Sequence, residues 1–506
     1  MSFAEQLTKT LDNTYNRSVT ENGAVGYRTT SHALLDMNFK VASYRSRPDE
    51  AIINDFLKAY KENMILAMRW LFYARDAREG LGERRFFRVV MRYLADNHTD
   101  TVNRLIPLIA EYGRWDDLLV LLHTKAENKV IAVISEQLKS DMVAVTEGKS
   151  ASLLAKWLPS EGASSQKTRS EARYLMTKLG LTNAKYRKMI SKIRAYLKVV
   201  EIDMSKKNWE GIDYEAVPSK ANLLYNSAFL RHDEMRRRAF LGAVEKGEAK
   251  INSSVNFPHD IVHKYCTGTW GSPNRVDAGL EALWKALPNV VDGDESTLVV
   301  ADGSGSMTCR VGGTNLSALE VANALAVYFA ERASGEFKNK YITFSSHPQL
   351  VNLYGDTLCK NLQIARQHNE VANTNIEATF DLILKTAIDG RMTQAEMPKN
   401  ILIISDMEFD SATYGRWNRP SATLFDTIAK KYAQHGYVLP RLVFWNVNSR
   451  TETIPVKQND MGVALVSGFS VNIVKMVMDN ELDPYKLLVK AISVERYDAI
   501  QKALEA

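Results

Sequence analysis

The hydrophobic pattern changes period once, near position 290, and that change constrains the fold more than any other feature of the chain. After the turn-rich stretch "LPNVVDGDES", short β-branched runs alternate with helical segments. "STLVVAD", "NKYITFSS", "NILIISDM", "PRLVFWNVN" and "GVALVSGFS" read as strands, with "SALEVANALAVYFAERA", "ATFDLILKTAID" and "ATLFDTIAKKYAQHG" as helices between them. Alternating strand and helix require βαβ crossovers, and therefore a parallel sheet covered on both faces. Residues 291–506 are thus expected to form a doubly wound α/β domain, its tail from "NIVKMVMD" to Ala506 adding C-terminal helices.

Before position 290 the period is helical. "DEAIINDFLKAYKENMILAMRWLFYARDAR" places Ile52, Ile53, Phe56, Leu57, Tyr60, Met64, Leu71 and Phe72 three or four residues apart, the stripe of a helix or helix pair packed on one side. "ERRFFRVVMRYLADN", "TVNRLIPLIAEYGRWDDLLVLLH" and "KVIAVISEQLKSDMVAV" continue the pattern across short polar breaks. No strict repeat period emerges, so residues 1–290 are expected to form an irregular all-helical HEAT-like array. "RDAREGLGERR" reads as a turn between two of its helices, with Gly80 and Gly82 in the turn.

A chain of 506 residues with 25% charged side chains has ordinary globular usage and length for at least two cores. Cys266, Cys309 and Cys359 are odd in number and share no CxxC spacing, which implies neither a disulfide framework nor a zinc knuckle. No signal-peptide core opens the chain, and no apolar run reaches the ~18 residues of a membrane span. A cytoplasmic protein without a membrane partner is expected.

Charge is distributed unevenly. Residues 1–290 hold 44 Lys and Arg against 34 Asp and Glu, whereas the remainder holds 21 against 25. The excess concentrates in residues 151–200, with 11 basic and 2 acidic side chains. Such asymmetry fits a polyanion-binding half; a solvated basic face is the plainer alternative. Within it, "KYRKMISKIRAYLKVVE" aligns Met189, Ile193, Tyr196, Leu197 and Val200 as an apolar face, flanked by Lys185, Lys188 and Lys192 on one side and Arg187, Arg194 and Lys198 on the other. "SSQKTRSEARYLMTK" adds Lys167, Arg169 and Arg173 from a Ser-rich loop into a helix. Tyr174, Tyr186 and Trp157 lie among these charges, where they could stack on bases, while Tyr196 reads as core.

The first strand of the α/β half stops on Asp302 and enters "GSGSM". In a doubly wound sheet, ligands gather beyond the carboxyl ends of the strands. Asp302, Ser304 and Ser306 supply one carboxylate and two hydroxyls, a hard-oxygen set suited to Mg²⁺ first, with Mn²⁺ or Ca²⁺ as alternatives, and poorly suited to zinc. Gly303 and Gly305 are expected to let the backbone turn tightly. Two further strand-end regions add donors: Asp406 in "NILIISDMEFD", with Glu408 and Asp410 nearby, and Thr374 in the polar loop before a helix.

The order Asp-x-Ser-x-Ser, then Thr, then Asp resembles the metal-ion-dependent adhesion site of von Willebrand factor A domains, over roughly residues 296–475. The resemblance implies that Ser304, Ser306 and Thr374 contact the ion while Asp302 and Asp406 act largely through water. It further implies that an acidic group of a partner completes the shell, making the site a binding switch. A helical array joined to such a domain resembles the TROVE proteins of the Ro autoantigen family, whose helical repeats close into a ring that threads single-stranded RNA. "SHALLDMNFKVASYRS", "RDAREGLGERR", "VPSKANLLYNSAFLRHDEMRRRAFL", "FPHDIVHKY", "ISDMEFD" and "LVSGFS" are similar to a less characterised family of bacteria, plants and phages that shares this two-part plan.

Two readings from different classes follow. The first is a non-catalytic RNA-binding protein whose helical module takes single-stranded or structured RNA and whose metal site contacts a partner or another domain. The second is a metal-dependent protein-interaction scaffold that takes no RNA. A remoter third is a metal-assisted phosphohydrolase with two ions among Asp302, Asp406, Glu408 and Asp410. No P-loop, HExxH, nucleophile elbow or dinucleotide fingerprint is present, so no enzyme is expected. Oligomeric state and ring closure are not encoded in any local motif.

Overall fold

Five runs rich in Val, Ile, Leu and Phe are buried on both faces, the pattern of strands inside a covered parallel sheet. The computed structural model describes residue 3 and residues 15–266, 275–291, 296–344, 347–370, 375–410, 424–455, 463–473 and 483–506. A short antiparallel hairpin, β1 (Arg17–Val19) and β2 (Val25–Tyr27), precedes the main sheet. The six sheet strands are β3 (Thr297–Asp302), β4 (Lys340–Phe344), β5 (Gln349–Asn352), β6 (Asn400–Ser405), β7 (Arg441–Asn446) and β8 (Val463–Ser467). Their order is β5-β4-β3-β6-β7-β8, parallel throughout except for β5, which runs antiparallel to β4 at the edge. The fold class expected from the alternation is the one observed: helices through the first half, then an open α/β sheet with helices Ala318–Arg332, Ile376–Asp389 and Leu424–Gln434 in its connections. Strand β5 and the helix Leu358–Gln367 are additions to the expected elements.

The domain boundary expected near 290 is not where packing divides the chain. One compact unit comprises Met1–Ala67 with Asn256–Ser493, and the other Met68–Val255 with Val494–Ala506. The cause is polar as well as apolar. Asn446, at the end of β7, donates from Nδ2 to the Phe39 carbonyl at 2.8 Å, and the Ala42 amide donates to Ser467 Oγ at the end of β8 at 3.1 Å. The early helix Ala33–Lys40 is thereby fixed to the sheet unit.

Glu281 does the same for the helix Ala278–Lys285. Its buried carboxylate accepts the first amides of the helix Leu358–Gln367, from Leu358 at 2.8 Å and Cys359 at 3.0 Å, together with the Tyr265 hydroxyl at 2.7 Å. A carboxylate at a helix N-terminus satisfies amides that have no partner within the helix.

In the second unit the "RDAREGLGERR" stretch is, as expected, a turn between helices Met64–Arg75 and Arg84–Asn97. A Cβ at Gly80 would lie 1.9 Å from the Tyr73 carbonyl oxygen, so only glycine fits. Asp76, fully buried in that turn, accepts the Arg78 amide at 2.9 Å and the guanidinium of Arg496, which anchors the C-terminal segment to this unit. Asp117, equally buried, is held by Arg75 and Arg88 at 2.7 Å and 2.6 Å. Burial works against its charge, but the two guanidinium groups outweigh it and hold its carboxyl below the usual range.

Replacing Glu281 by Ala orphans two buried amides and leaves the Tyr265 hydroxyl only its longer bond to the Asp277 carbonyl, at 3.2 Å. It is expected to cost about 3 kcal/mol, seen as an earlier denaturant midpoint of the transition that reports the sheet unit.

Candidate functional site

Strands β3 and β6 pair in parallel with Ala301 opposite Ile404, so both end at the same level. That register brings Asp302 and Asp406 to one place at the carboxyl edge of the sheet, both with no solvent exposure. Asp302 Oδ1 accepts the Ser304 amide at 2.9 Å, and its Oδ2 accepts the Ser405 hydroxyl at 2.6 Å. Ser304 Oγ and Ser306 Oγ lie 3.0 Å apart, sharing a hydrogen bond. Asp406 Oδ1 receives the Glu408 amide at 3.3 Å, whereas its buried Oδ2 accepts no hydrogen bond among the described residues. Arg450 Nη1 stands 3.6 Å from that oxygen.

Burial pushes both carboxyls up, Asp302 to about 6 and Asp406 to about 7. At Asp406 the neighbouring Asp302 charge adds to the rise, and Arg450 opposes it.

The four described members of the expected metal set, Asp302, Ser304, Ser306 and Asp406, converge at this edge. Thr374 lies outside the described residues. Neither Gly303 nor Gly305 has a positive φ, so the turn does not use the conformational freedom expected of them. A methyl group at 303 would rest against Asn369 Oδ1 at 3.4 Å, an ordinary contact.

Glu408 does not join this group. Met407, buried, sits in the left-handed region at φ +64° and turns the chain, so that the next carboxylate faces elsewhere. Glu408, with no exposure, accepts the backbone amides of Glu21 at 2.9 Å, Arg450 at 2.8 Å and Thr451 at 2.8 Å, and the Thr451 hydroxyl at 2.9 Å. It is a structural fastener, and this takes it out of the two-ion arrangement that a phosphohydrolase would need. Among the described residues no three His, Cys, Asp or Glu side chains gather in a metal-binding group. An ion at the strand ends would rest on two carboxylates and hydroxyl oxygens.

The basic segment folds into the helices Gln166–Lys178 and Asn183–Tyr196, each begun by a hydroxyl cap, Ser165 and Thr182. The apolar face of the second helix is Tyr186, Ile190 and Ile193. Tyr186, expected to be available for stacking, is buried and donates its hydroxyl to the Pro159 carbonyl at 2.8 Å. Tyr196, expected in the core, is 38% exposed. The phase differs because the helix stops at Tyr196 and Lys198 takes φ +48°, so Leu197 and Val200 lie outside it.

The structure sorts the nine expected RNA-contacting residues. Lys185, Arg187, Lys188 and Lys192 are exposed and form no side-chain hydrogen bond or ion pair among the described residues. Lys167 and Lys198 are exposed as well. Arg173 is exposed and paired with Glu161 at 2.8 Å. Arg169 donates to the carbonyls of Ala163 and Ser164, both at 2.8 Å. Arg194 is committed to the fold: it donates to the Ala155 and Leu158 carbonyls and to Ser160 Oγ within 2.9 Å, and burial lowers its pKa. Trp157 stacks beneath Arg114, whose guanidinium carbon is 4.0 Å from the ring centre.

Residues 20–134 and 163–299 match the family model described as Domain of unknown function (DUF2828), and residues 296–501 match that described as Domain of unknown function (DUF7788). The Uncharacterized protein L728 of Acanthamoeba polyphaga mimivirus is 29% identical over 518 residues, which cover 94% of this chain and 87% of that protein. Among solved structures, the Deinococcus radiodurans RO (RSR) protein aligns over 94% of this chain and 95% of its own, with 14% identity and a TM-score of 0.38. Among the described residues no helix is long and apolar enough to cross a membrane.

Tyr174 and Lys178 of the first basic helix converge on buried Glu127, each at 2.5 Å, and the His123 amide joins them at 2.6 Å. Burial alone would raise the Glu127 pKa, but these donors outweigh it and bring it from its ordinary 4.5 to about 2. A carboxylate depressed by folding stabilises the native state above its unfolded pKa and loses that contribution as pH falls through the folded one. The thermal stability advantage of the wild type over Glu127→Gln should therefore be full above pH 4.5 and shrink between pH 4.5 and about 2.

Proposed function

We propose that this chain, which joins a DUF2828 part to a DUF7788 part, binds RNA without catalysing a reaction and carries a divalent-cation site at the ends of β3 and β6. The observation that carries the first half is the set Lys185, Lys188 and Lys192, exposed on one flank of a single helix, with Arg187 exposed on its other flank, all four unpaired among the described residues. Cations that serve folding are found against carboxylates or carbonyls, as Arg194 and Arg173 are. Cations left free in a cluster hold a polyanion by releasing its counterions. Lys167 and Lys198 extend the surface; Arg169 and Arg173 adjoin it, already engaged within the protein. The resemblance to the Ro autoantigen family favours RNA as the polyanion.

The donor set at the strand ends fits a hard divalent ion, Mg²⁺ before Mn²⁺ or Ca²⁺. The supporting observation is Asp406 Oδ2, a buried carboxylate oxygen without a hydrogen bond among the described residues, beside the paired hydroxyls of Ser304 and Ser306. Buried polar atoms are almost always satisfied, so an orphaned one marks a place for a missing partner. Asp302, Ser304, Ser306 and Asp406 would hold the ion, with Thr374 as the further donor that the adhesion-site pattern implies. Such an ion supplies an electrophilic centre for a carboxylate of a partner molecule.

Charge reversal of Lys185, Arg187, Lys188 and Lys192 to Glu should abolish a single-stranded RNA mobility shift. Their neutralisation to Gln should flatten the slope of log affinity against log salt by about 3. An unchanged slope would rule out this surface. For the cation, Asp302→Ala should remove Mg²⁺ and Mn²⁺ binding by calorimetry while circular dichroism stays native.

A further inference from the structure

Arg450 occupies a position that the proposed cation site alone does not explain. Its loop is fastened to the end of β6, because Glu408 accepts the Arg450 and Thr451 amides, both at 2.8 Å. The same carboxylate accepts the Glu21 amide at 2.9 Å, and Asn22 donates to the Glu408 carbonyl at 2.6 Å, so the turn between β1 and β2 is fastened there too. Between these anchored segments lies the Arg450 guanidinium. Its Nη2 pairs with the Glu21 carboxylate, while its Nη1 stands 3.6 Å from Asp406 Oδ2 and donates to the Ser306 carbonyl at 3.4 Å. One side chain thus touches two members of the donor set and the hairpin turn.

We propose that Arg450 is a built-in counter-cation of the strand-end site, competing with a divalent ion for Asp406 and coupling metal uptake to the β1–β2 turn through Glu21. This rests on the cation site proposed above. Asp406 Oδ2 is buried and accepts no hydrogen bond among the described residues, so its charge is balanced at a distance by Arg450. A divalent ion at that oxygen and a guanidinium 3.6 Å away repel one another strongly in a desolvated setting. The guanidinium has somewhere to go: the Arg450 side chain is 31% exposed and its second partner, Glu21, is 57% exposed. An incoming ion therefore displaces Arg450 from Asp406 towards Glu21 and solvent. By linkage, whatever holds Arg450 over Asp406 weakens metal binding, and metal binding loosens that hold by the same factor.

The test uses the full chain and Mn²⁺ alone. Replacing Arg450 by Met leaves intact the backbone amide that Glu408 accepts, and should tighten Mn²⁺ binding about tenfold by calorimetry and by titration of the free-ion paramagnetic signal. Arg450→Lys, which keeps the charge, should stay close to wild type. Saturating Mn²⁺, by driving Arg450 onto Glu21, should slow hydrogen exchange of the amides of residues 17–27 in the wild type and leave it unchanged in the Met variant. Equal Mn²⁺ affinity in wild type and Arg450→Met, with binding still lost in Asp302→Ala, overturns the competition and leaves the cation site standing. Binding that survives Asp302→Ala, or that neither wild type nor Arg450→Met shows, overturns the site itself and the competition with it.

Discussion

Burying a carboxylate costs several kcal/mol unless its oxygens find donors, and this chain buries carboxylates at several of the points where distant segments are joined. Asp76 accepts from Arg78 and Arg496, Asp117 from Arg75, Arg88 and the Arg114 amide, and Glu408 from the amides of Glu21, Arg450 and Thr451. Each joins pieces of chain that lie tens to hundreds of residues apart. In each case the donors are there because the segment carrying them has docked, so losing one connection leaves a buried charge behind. This makes docking closer to all-or-none than apolar contact alone would. Asp406 departs from the pattern, with one oxygen left open.

The same logic explains why the compact units interleave along the chain. Family matches change between residues 296 and 299, close to the change of hydrophobic period, yet the sheet unit includes Met1–Ala67 and the helices from Asn256 onward. Period reports local structure, and it was sufficient for β3, β4, β6, β7 and β8 and for the helices between them. It carries no information on which helix packs against which sheet edge. Asn446, Ser467 and Glu281 decide that, and each looks in sequence like an ordinary polar residue near the end of an element. Strand β5 has no legible period, because "QLVN" is a half-exposed edge of four residues, too short for alternation to rise above chance.

Among functional residues, legibility followed the same division. Asp302, Ser304, Ser306 and Asp406 could be placed together because parallel strands that end in register bring their next residues to one edge, and strand ends are readable. The face of the basic helix was harder. Tyr186, Ile190 and Ile193 give one phase, while Met189, Ile193, Leu197 and Val200 give another that is almost as good; the choice depends on where the helix ends. Thr182 and Lys198 set those ends through a cap and a left-handed residue, and a lysine in that conformation has no sequence signature. Arg194 shared the charge of its neighbours but not their fate, because its guanidinium found three acceptors in residues 155–160.

Asp406 and Glu408 show how little the spacing of two acids decides by itself. Two carboxylates one residue apart at a strand end invite a reading as a joint metal-binding pair, and in a continuing strand both would face the same side. Met407 prevents this by adopting φ +64°, a conformation that costs a non-glycine residue about 1 kcal/mol. The cost is offset by what the turn achieves: the buried Glu408 carboxylate meets three backbone amides, and Asp406 keeps its place beside Asp302. A glycine at 407 would take the same φ without strain but would give up a buried side chain. A β-branched residue would resist it and tend to restore the extended path, turning Glu408 back towards Asp302 and crowding three carboxylates into one buried space. The division of labour between a structural acid and a site acid therefore rests on the backbone conformation of the residue between them.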